Sequence, residues 1–227
     1  MNIFQRLFSD PLKEAEVEKA KRLIKDTHAN VEATYGRVGN LGTAIVNAAF
    51  GAQKNLAQVF GFSVEGQPSE PQILMFYEFL YFFSHITLRT VAAEGFTEPQ
   101  IKKLQDFLGP LLASTAVDSF FRHWPEDLKR KMKSNYFESL NVAEMEYSEC
   151  RGLILADDPL NQSTLIGRLA SNVAELWERS SDQLVKMAVA SAATQAFAAM
   201  QLDRLVADVA PIIDSVDAEL VGKFWKR

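Results

Sequence analysis

The most apolar stretch of the chain, residues 69–94, predicts a helix that the rest of the fold surrounds. Its start has the spacing of a capping box, in which Ser69 and Gln72 satisfy each other's backbone N–H groups. Pro71 fits the first turn, where no N–H is needed, and Gly95 suits the left-handed residue that follows a helix. A helix that is apolar on nearly all sides is normally buried, so we predict a Phe-rich central helix over residues 69–94.

Three ionisable side chains interrupt this helix and form what we call the polar stripe. At about 100° per residue, Glu78, His85 and Arg89 fall within roughly 40° of one another around the helix axis. One interpretation is a buried ligand or metal site. The other is a solvent-facing edge or an internal ion-paired network. The same residues argue against a transmembrane segment, which needs ~20 predominantly apolar residues.

Aromatic side chains flank the polar stripe and predict an apolar pocket beside it. Such a pocket would hold an apolar small molecule, a haem-like group or a metal ion. Its predicted aromatic lining is Phe76, Phe79, Tyr81, Phe82 and Phe83. The candidate ligand-binding residues are therefore Glu78, His85, Arg89, Phe79 and Phe82.

Apolar residues recur at three- and four-residue steps along most of the chain, which predicts helices. The alternation with a period of two that is typical of strands is missing. We predict an all-α fold, a single domain over residues 1–227 that forms an irregular bundle of about seven to nine helices. Besides the central helix, we expect helices over residues 17–35, 40–60, 97–124 with a pause at Gly109–Pro110, and 135–155.

Three glycines, Gly36, Gly39 and Gly42, lie close together at the start of the helix predicted over residues 40–60. Their spacing matches neither the phosphate-binding loop of nucleotide hydrolases nor the dinucleotide-binding fingerprint, and no strand pattern precedes them. We interpret them as a break between helices, or as a notch where another helix approaches closely.

Residues 160–210 contain no proline and one glycine, which predicts a long C-terminal helical element. As one straight helix it would be ~75 Å long, whereas a compact chain of this length is about 45 Å wide. The element must therefore bend, break or project. We place a break near residues 179–182, because Ser180, Ser181 and Asp182 offer side chains that cap a helix.

Residues 188–200 within this element are small and mostly apolar, so the helix can approach a neighbour closely. Residues at heptad spacing form a stripe, although two polar members make it a poor coiled coil. We predict that this face contacts other helices of the bundle, a partner or a second copy of the chain. Within residues 184–198, the members of this stripe are Leu184, Ala188, Ser191, Gln195 and Ala198.

Residues 69–80 resemble residues 97–108, since both begin with a hydroxyl residue followed by Glu-Pro-Gln-Ile. The likeness extends to Glu78 and Asp106, each followed by Phe-Leu. One interpretation is a duplicated helix that places the two carboxylates in equivalent positions. The other is that the same helix-start chemistry arose twice.

Composition and charge narrow the classes of function. The chain has 227 residues, of which 48% are hydrophobic and 23% charged, as in folded globular proteins. Its net charge of −5 argues against a nucleic-acid-binding protein, which usually has a basic excess. Cys150 is the only cysteine and excludes an intramolecular disulfide, so we expect a reducing cytoplasmic location.

Residues 1–8 predict a short amphipathic helix with Arg6 as its only charge. The segment lacks the long apolar core and cleavage site of a secretory signal. It could contact a membrane surface, but two turns with one positive charge bind weakly, and the alternative is a terminal helix folded onto the body.

Recognisable catalytic motifs are missing from the sequence. The histidines at positions 28, 85 and 123 do not follow a glutamate by three residues, as a di-metal bundle requires, and no G-x-S-x-G is present. We therefore assign no catalytic residue, no metal ligand and no cofactor. The leading hypothesis is a non-catalytic cytoplasmic protein that binds a partner or self-associates through residues 188–200. The alternatives are the small-molecule or metal pocket on the central helix, and an enzyme with Glu78 and Asp106 as paired carboxylates.

Overall fold

The structure is a computed structural model that describes residues 36–63, 68–121 and 125–215. Within these ranges the regular elements are helices, apart from one isolated bridge between Gly152 and Thr164, and this confirms the all-α prediction. In chain order the helices are α1 (residues 36–55), α2 (Ala57–Phe60), α3 (Glu70–Ala93), α4 (Glu98–Phe121), α5 (Glu126–Ser148), α6 (Leu165–Leu176), α7 (Gln183–Met200) and α8 (Leu202–Val209), followed by a 3-10 turn (Ile213–Ser215).

Predictions for three parts of the chain lie outside the described residues. These parts are the amphipathic segment 1–8, the helix over residues 17–35 with His28, and the histidine at position 123.

Helix α3 is the predicted central helix, and it packs against α4, α5, α6 and α8. The backbone N–H of Ser69 donates to Gln72 Oε1 at 2.7 Å, as the capping box requires. At the other end Gly95 adopts a left-handed φ of 83°. Helix α1 covers a further side of α3, because the rings of Phe50 and Phe76 lie 4.3 Å apart. The Phe-rich helix is therefore surrounded by its own chain.

Helices α3 and α5 pack against each other, with α4 between them in the chain. Tyr81 contacts Tyr136, and further along both helices His85 contacts Glu144. The polar contacts of Glu78, His85 and Arg89 all fall on residues 144–150, at the end of α5. This arrangement places the polar stripe of α3 against the second half of α5.

Helix α4 continues through Gly109–Pro110, so the pause predicted there is wrong. Pro110 cannot donate to the carbonyl of Asp106, and an interior proline costs a helix roughly 3 kcal/mol. The buried side chains of Leu108 and Leu112 on either side pack into the core and offset this cost. Tertiary packing has overridden a local helix-breaking signal.

Helix α5 begins at Glu126 and ends at Ser148, whereas the sequence predicted a helix over residues 135–155. A basic cluster of Lys129, Arg130, Lys131 and Lys133 lies in its first turns, where Lys129 Nζ lies 3.0 Å from Glu126 Oε1. The end differs because Arg89, from another helix, bonds the carbonyls that follow Tyr147, and residues 149–164 form an irregular connection. No signal within α5 itself marked that end.

The notch interpretation of the glycines fits Gly42. A Cβ atom at Gly42 would overlap the side chain of Leu111, so α4 approaches α1 closely at this point. The chain is helical throughout residues 36–55, so these glycines do not break the described helix.

The C-terminal element consists of three helices joined by two turns. Helix α6 ends at Leu176, and Asp182 caps α7 by accepting hydrogen bonds from the N–H groups of Leu184 and Val185. A second turn at Gln201, with a φ of 49°, separates α7 from α8 and was not predicted. It allows the apolar faces of both helices to reach the core, since Met200 and Leu202 on its two sides are buried.

Candidate functional site

The polar stripe of α3 points at α5, and each of its three members bonds a group on that helix or at its end. Arg89 Nη2 donates to the carbonyls of Tyr147 and Cys150 at 3.0 and 2.7 Å. These carbonyls lie at the end of α5, where helical donors are lacking and the helix dipole is negative. The guanidinium thus caps α5 from outside.

The middle member of the polar stripe pairs with a carboxylate of α5. His85 Nδ1 lies 2.7 Å from Glu144 Oε2, and the imidazole is almost fully buried. The other ring nitrogen, Nε2, is buried without a hydrogen-bond partner. The contact holds the middle of the α3–α5 interface.

Glu78 forms the third contact and joins three helices. Tyr147 of α5 donates its hydroxyl to Glu78 Oε1 at 2.6 Å, and Asn172 of α6 donates to the same oxygen at 2.8 Å. Asn172 also donates to Glu146 Oε2 at 3.2 Å, so one amide bridges two carboxylates. Burial raises the pKa of Glu78, the two hydrogen bonds oppose the rise, and the charge of Glu146 adds to it.

Together the three contacts form an internal hydrogen-bonded network that attaches α5 to α3. The sequence left two interpretations of the polar stripe open, a ligand site and an internal network. The contacts of His85 and Arg89 match the internal network. Glu78 also faces a cavity.

We call that cavity the acidic groove: an opening of about 480 Å³ between α3, α5 and α6. Three carboxylates line it, whereas no lysine, arginine or histidine occurs among the described residues of its lining. Apolar side chains surround the carboxylates, and Val142 at the rim is 58% exposed. The lining residues that matter most are Leu74, Tyr77, Glu78, Val142, Glu146 and Glu175.

Tyr77 provides a second polar feature of the acidic groove. Only 5% of its surface is exposed, and its hydroxyl has no hydrogen-bond partner. Burial raises the pKa of Tyr77 to about 12, so the hydroxyl stays protonated and can donate. Buried polar groups without partners are rare in folded proteins, and this one lies in a residue that lines the groove.

The phenylalanines of the predicted pocket pack into the core around α3. Phe79 and Phe82 are fully buried core residues, as are the two other phenylalanines of the predicted lining. Phe79 stacks on Phe83 with ring centroids 6.1 Å apart. Only Tyr81 of the predicted aromatic set lines the acidic groove.

The structure does not bring Glu78 and Asp106 to one cavity. Asp106 is exposed on α4, lies 3.5 Å from Lys102, and lines a different cavity. The likeness between the two segments lies in their helix starts, because Thr97 N–H donates to Gln100 Oε1 at 2.8 Å just as at the start of α3. The carboxylate that approaches Glu78 is Glu146.

Sequence reasoning missed Glu144, Glu146 and Asn172. Glu144 had a readable signal, because it lies four residues after Leu140 and three before Tyr147, both on the side of α5 that packs on the core. Asn172 had none, since nothing in α6 indicates which residue of α3 it will meet.

Other residues with reactive or coordinating groups are isolated. Within the described ranges, no group of three or more histidine, cysteine, aspartate or glutamate side chains is placed to hold a metal ion. Cys150 is buried, and burial raises the pKa of its thiol. None of the described helices has the length and apolarity that crossing a bilayer demands.

Helix α7 presents the second candidate surface, which we call the α7 stripe. Leu184 is 83% exposed, whereas Val189 and Ala193 on the opposite face are buried. Lys186 is the only charged residue in this 18-residue helix. The α7 stripe consists of the exposed residues Leu184, Met187, Ser191, Gln195 and Ala198.

Comparison of the chain with models of protein families, with curated proteins and with solved structures finds no match.

Proposed function

We propose that the protein is a non-catalytic binding protein and that the acidic groove receives a basic amphipathic segment of a partner protein. The observation that carries this proposal is the charge of the groove: three carboxylates line it, and no basic side chain among its described lining residues offsets them. Positive charge on the partner would provide that compensation.

The apolar rim explains why the partner segment would be amphipathic. Val142 and Met145 lie three residues apart on one face of α5 and are 58% and 72% exposed. Large apolar side chains exposed together beside a cavity are typical of interaction surfaces. A helix with leucines on one face and lysines at its edges would cover them and reach the carboxylates.

The tyrosines of the groove support a cationic ligand as well. Tyr77 and Tyr81 line the same wall as Glu78, and their ring centroids lie 6.4 Å apart. An ammonium group over an aromatic face gains about 0.5–2 kcal/mol, more when it is desolvated.

The test uses an amphipathic helical peptide of leucine and lysine, and a counterpart in which glutamate replaces lysine. Isothermal titration calorimetry should show that the lysine peptide binds and that the glutamate peptide does not. Combining Glu146→Gln with Glu175→Gln should weaken that binding about fivefold to tenfold. The matched control combines Glu138→Gln with Glu149→Gln, which removes the same charge from exposed positions of α5 and its end outside the groove.

A second pair of variants tests the apolar rim. Val142→Asp places a charge at the groove, and Leu128→Asp places the same charge on an exposed leucine at the other end of α5. Only the first should abolish binding of the lysine peptide. If each groove variant and its control change the affinity for the lysine peptide equally, the peptide responds to the net charge of the protein. That result would refute a site in the groove.

Self-association through the α7 stripe is the second candidate function. Leu184 is the most exposed large apolar side chain among the described residues, and the α7 stripe itself carries no charge. In a two-fold dimer each residue near the axis meets its own copy, so an uncharged stripe of small residues can pack on itself without repulsion. Ser191 and Ala198 allow the two backbones to approach.

Light scattering over a range of protein concentrations tests self-association. We expect a concentration-dependent dimer that Leu184→Lys together with Met187→Lys converts to a monomer. Ile154→Lys together with Leu155→Lys, at exposed apolar positions outside α7, should leave the dimer intact. A wild-type protein that is monomeric at every concentration would eliminate this candidate and leave the acidic groove unaffected.

We also propose a reducing cytoplasm as the location of the protein. The support is the single thiol, Cys150, which is buried and has no cysteine partner in the chain. A fluorescent fusion that distributes through the cytoplasm would agree, whereas accumulation in a secretory compartment would contradict the proposal.

A further inference from the structure

A cavity between α3, α4 and α5 is separate from the acidic groove and has a different character. It measures about 340 Å³, within the range of small-molecule sites, and lies beside the interior proline of α4. We call it the proline cavity. Its walls are largely apolar, with Leu88 from α3, Leu108 and Leu112 from α4, and Phe137 and Leu140 from α5.

Ser84 lines the proline cavity and has a buried hydroxyl without a hydrogen-bond partner. The residue lines the cavity and is 7% exposed, and its Oγ is buried and unbonded. Hydroxyls in helices commonly donate to the carbonyl four residues earlier, as Thr87 does to Phe83 at 2.8 Å. Ser84 has no such bond, so its hydroxyl keeps an unmade hydrogen bond beside the cavity.

Pro110 interrupts the backbone hydrogen bonds of α4 on the opposite side of the cavity. In a regular helix the N–H of residue 110 would donate to the carbonyl of Asp106, but proline has no N–H. Both Asp106 and Pro110 line the cavity. The Asp106 carbonyl therefore lacks its regular helical donor beside the cavity.

The charges around the proline cavity already have basic neighbours. The Asp106 carboxylate lies 3.5 Å from Lys102 Nζ, and the Glu144 carboxylate lies 2.7 Å from His85 Nδ1. This differs from the acidic groove, whose lining carboxylates have no basic residue beside them among the described lining residues. A charged ligand would therefore gain little here and would lose its hydration.

We infer that the proline cavity binds an uncharged, ring-sized apolar molecule that carries a hydroxyl group. A ligand hydroxyl can accept the hydrogen bond that Ser84 Oγ leaves unmade within the protein. The apolar walls bind the ring. The chemical class is a phenol or an alicyclic alcohol.

The experiment compares 2-naphthol with 2-methylnaphthalene, which has nearly the same shape and no hydroxyl, and with the anion 2-naphthoate. Calorimetry on the full-length protein should give 2-naphthol about tenfold higher affinity than either analogue. Ser84→Ala should remove most of the difference between naphthol and methylnaphthalene. Its own effect on folding is checked by circular dichroism and thermal unfolding.

A second variant closes the cavity without touching the core. Asn141→Trp adds an indole at an exposed position that lines the cavity, and Glu138→Trp adds the same group on α5 outside it. Only the first should abolish binding of 2-naphthol. The inference is overturned if 2-naphthol does not bind, if it binds no more tightly than methylnaphthalene, or if Asn141→Trp leaves its affinity unchanged. Glu146→Gln with Glu175→Gln should not alter it, so failure of the groove proposal is a separate result.

Discussion

At the scale of single residues, the most informative group is Glu78, a carboxyl that three helices surround. Its hydrogen bonds come from Tyr147 and Asn172, which are neutral, and its nearest charged neighbour is another carboxylate, Glu146. Burial therefore dominates and raises the pKa of Glu78. The protonated form is favoured in the folded state relative to the unfolded chain.

This shift predicts how stability depends on pH. Because the folded state binds the Glu78 proton more tightly than the unfolded state does, the stabilisation is complete below the ordinary value of 4.5. It is lost as the pH rises from there through the raised pKa. Urea unfolding of the wild type across this window should show a declining free energy that Glu78→Gln lacks. Identical slopes for the two proteins would contradict the assigned shift.

Gln201 is a second residue whose conformation lowers stability, because it adopts a left-handed φ of 49° at the turn between α7 and α8. A side chain in this region costs roughly 1–2 kcal/mol, and glycine avoids most of that cost. Gln201→Gly should therefore raise the free energy of unfolding by about 0.5–1 kcal/mol despite the greater freedom of glycine in the unfolded chain. Gln183→Gly, at the first residue of α7, is the control and should lower it.

At the scale of elements, α5 depends on contacts from a different helix. Its composition is the most polar of the long helices, and few of its side chains are buried. Besides its packing on α3 and α4, it is bonded by the polar stripe of α3, which contacts Tyr147, Glu144 and the last carbonyls of the helix. The polar stripe therefore attaches α5 to α3, and one of its members, Glu78, also lines the acidic groove.

Arg89 tests this view of α5. Arg89→Met keeps most of the side-chain volume and removes the cap, so the free energy of unfolding should fall by about 1.5–3 kcal/mol. Amide exchange should accelerate at the end of α5 more than elsewhere. Arg130→Met, at an exposed position near the start of α5, is the matched control and should change both quantities little. A uniform acceleration of exchange across the molecule would argue against a local cap.

At the scale of the whole molecule, the sequence predicted what depends on periodicity and on capping residues. The central helix, its Ser69 start and its Gly95 end all follow from local patterns. The errors lie where a distant residue decides the outcome. Arg89 marks the end of α5, and packing across the bundle carries α4 through Pro110. The hydrogen-bond partners of Glu78 could not be predicted either. Which residues of two helices meet depends on where each helix lies around α3 and how it is rotated about its own axis, and local sequence patterns do not determine this.

The raised pKa of Glu78 also predicts how the proposed binding of a basic segment depends on pH. A cation in the acidic groove favours the ionised carboxyl, so binding of the lysine peptide should lower the pKa of Glu78 and release a proton. Affinity should then rise as the pH increases through the raised pKa and level off above it. Calorimetry in buffers of different ionisation enthalpy measures the proton directly, and Glu78→Gln should abolish both the release and the pH dependence. If the wild type binds the peptide with no proton release inside that window, the cation does not reach Glu78, and the binding contacts lie at the rim with Glu146 and Glu175.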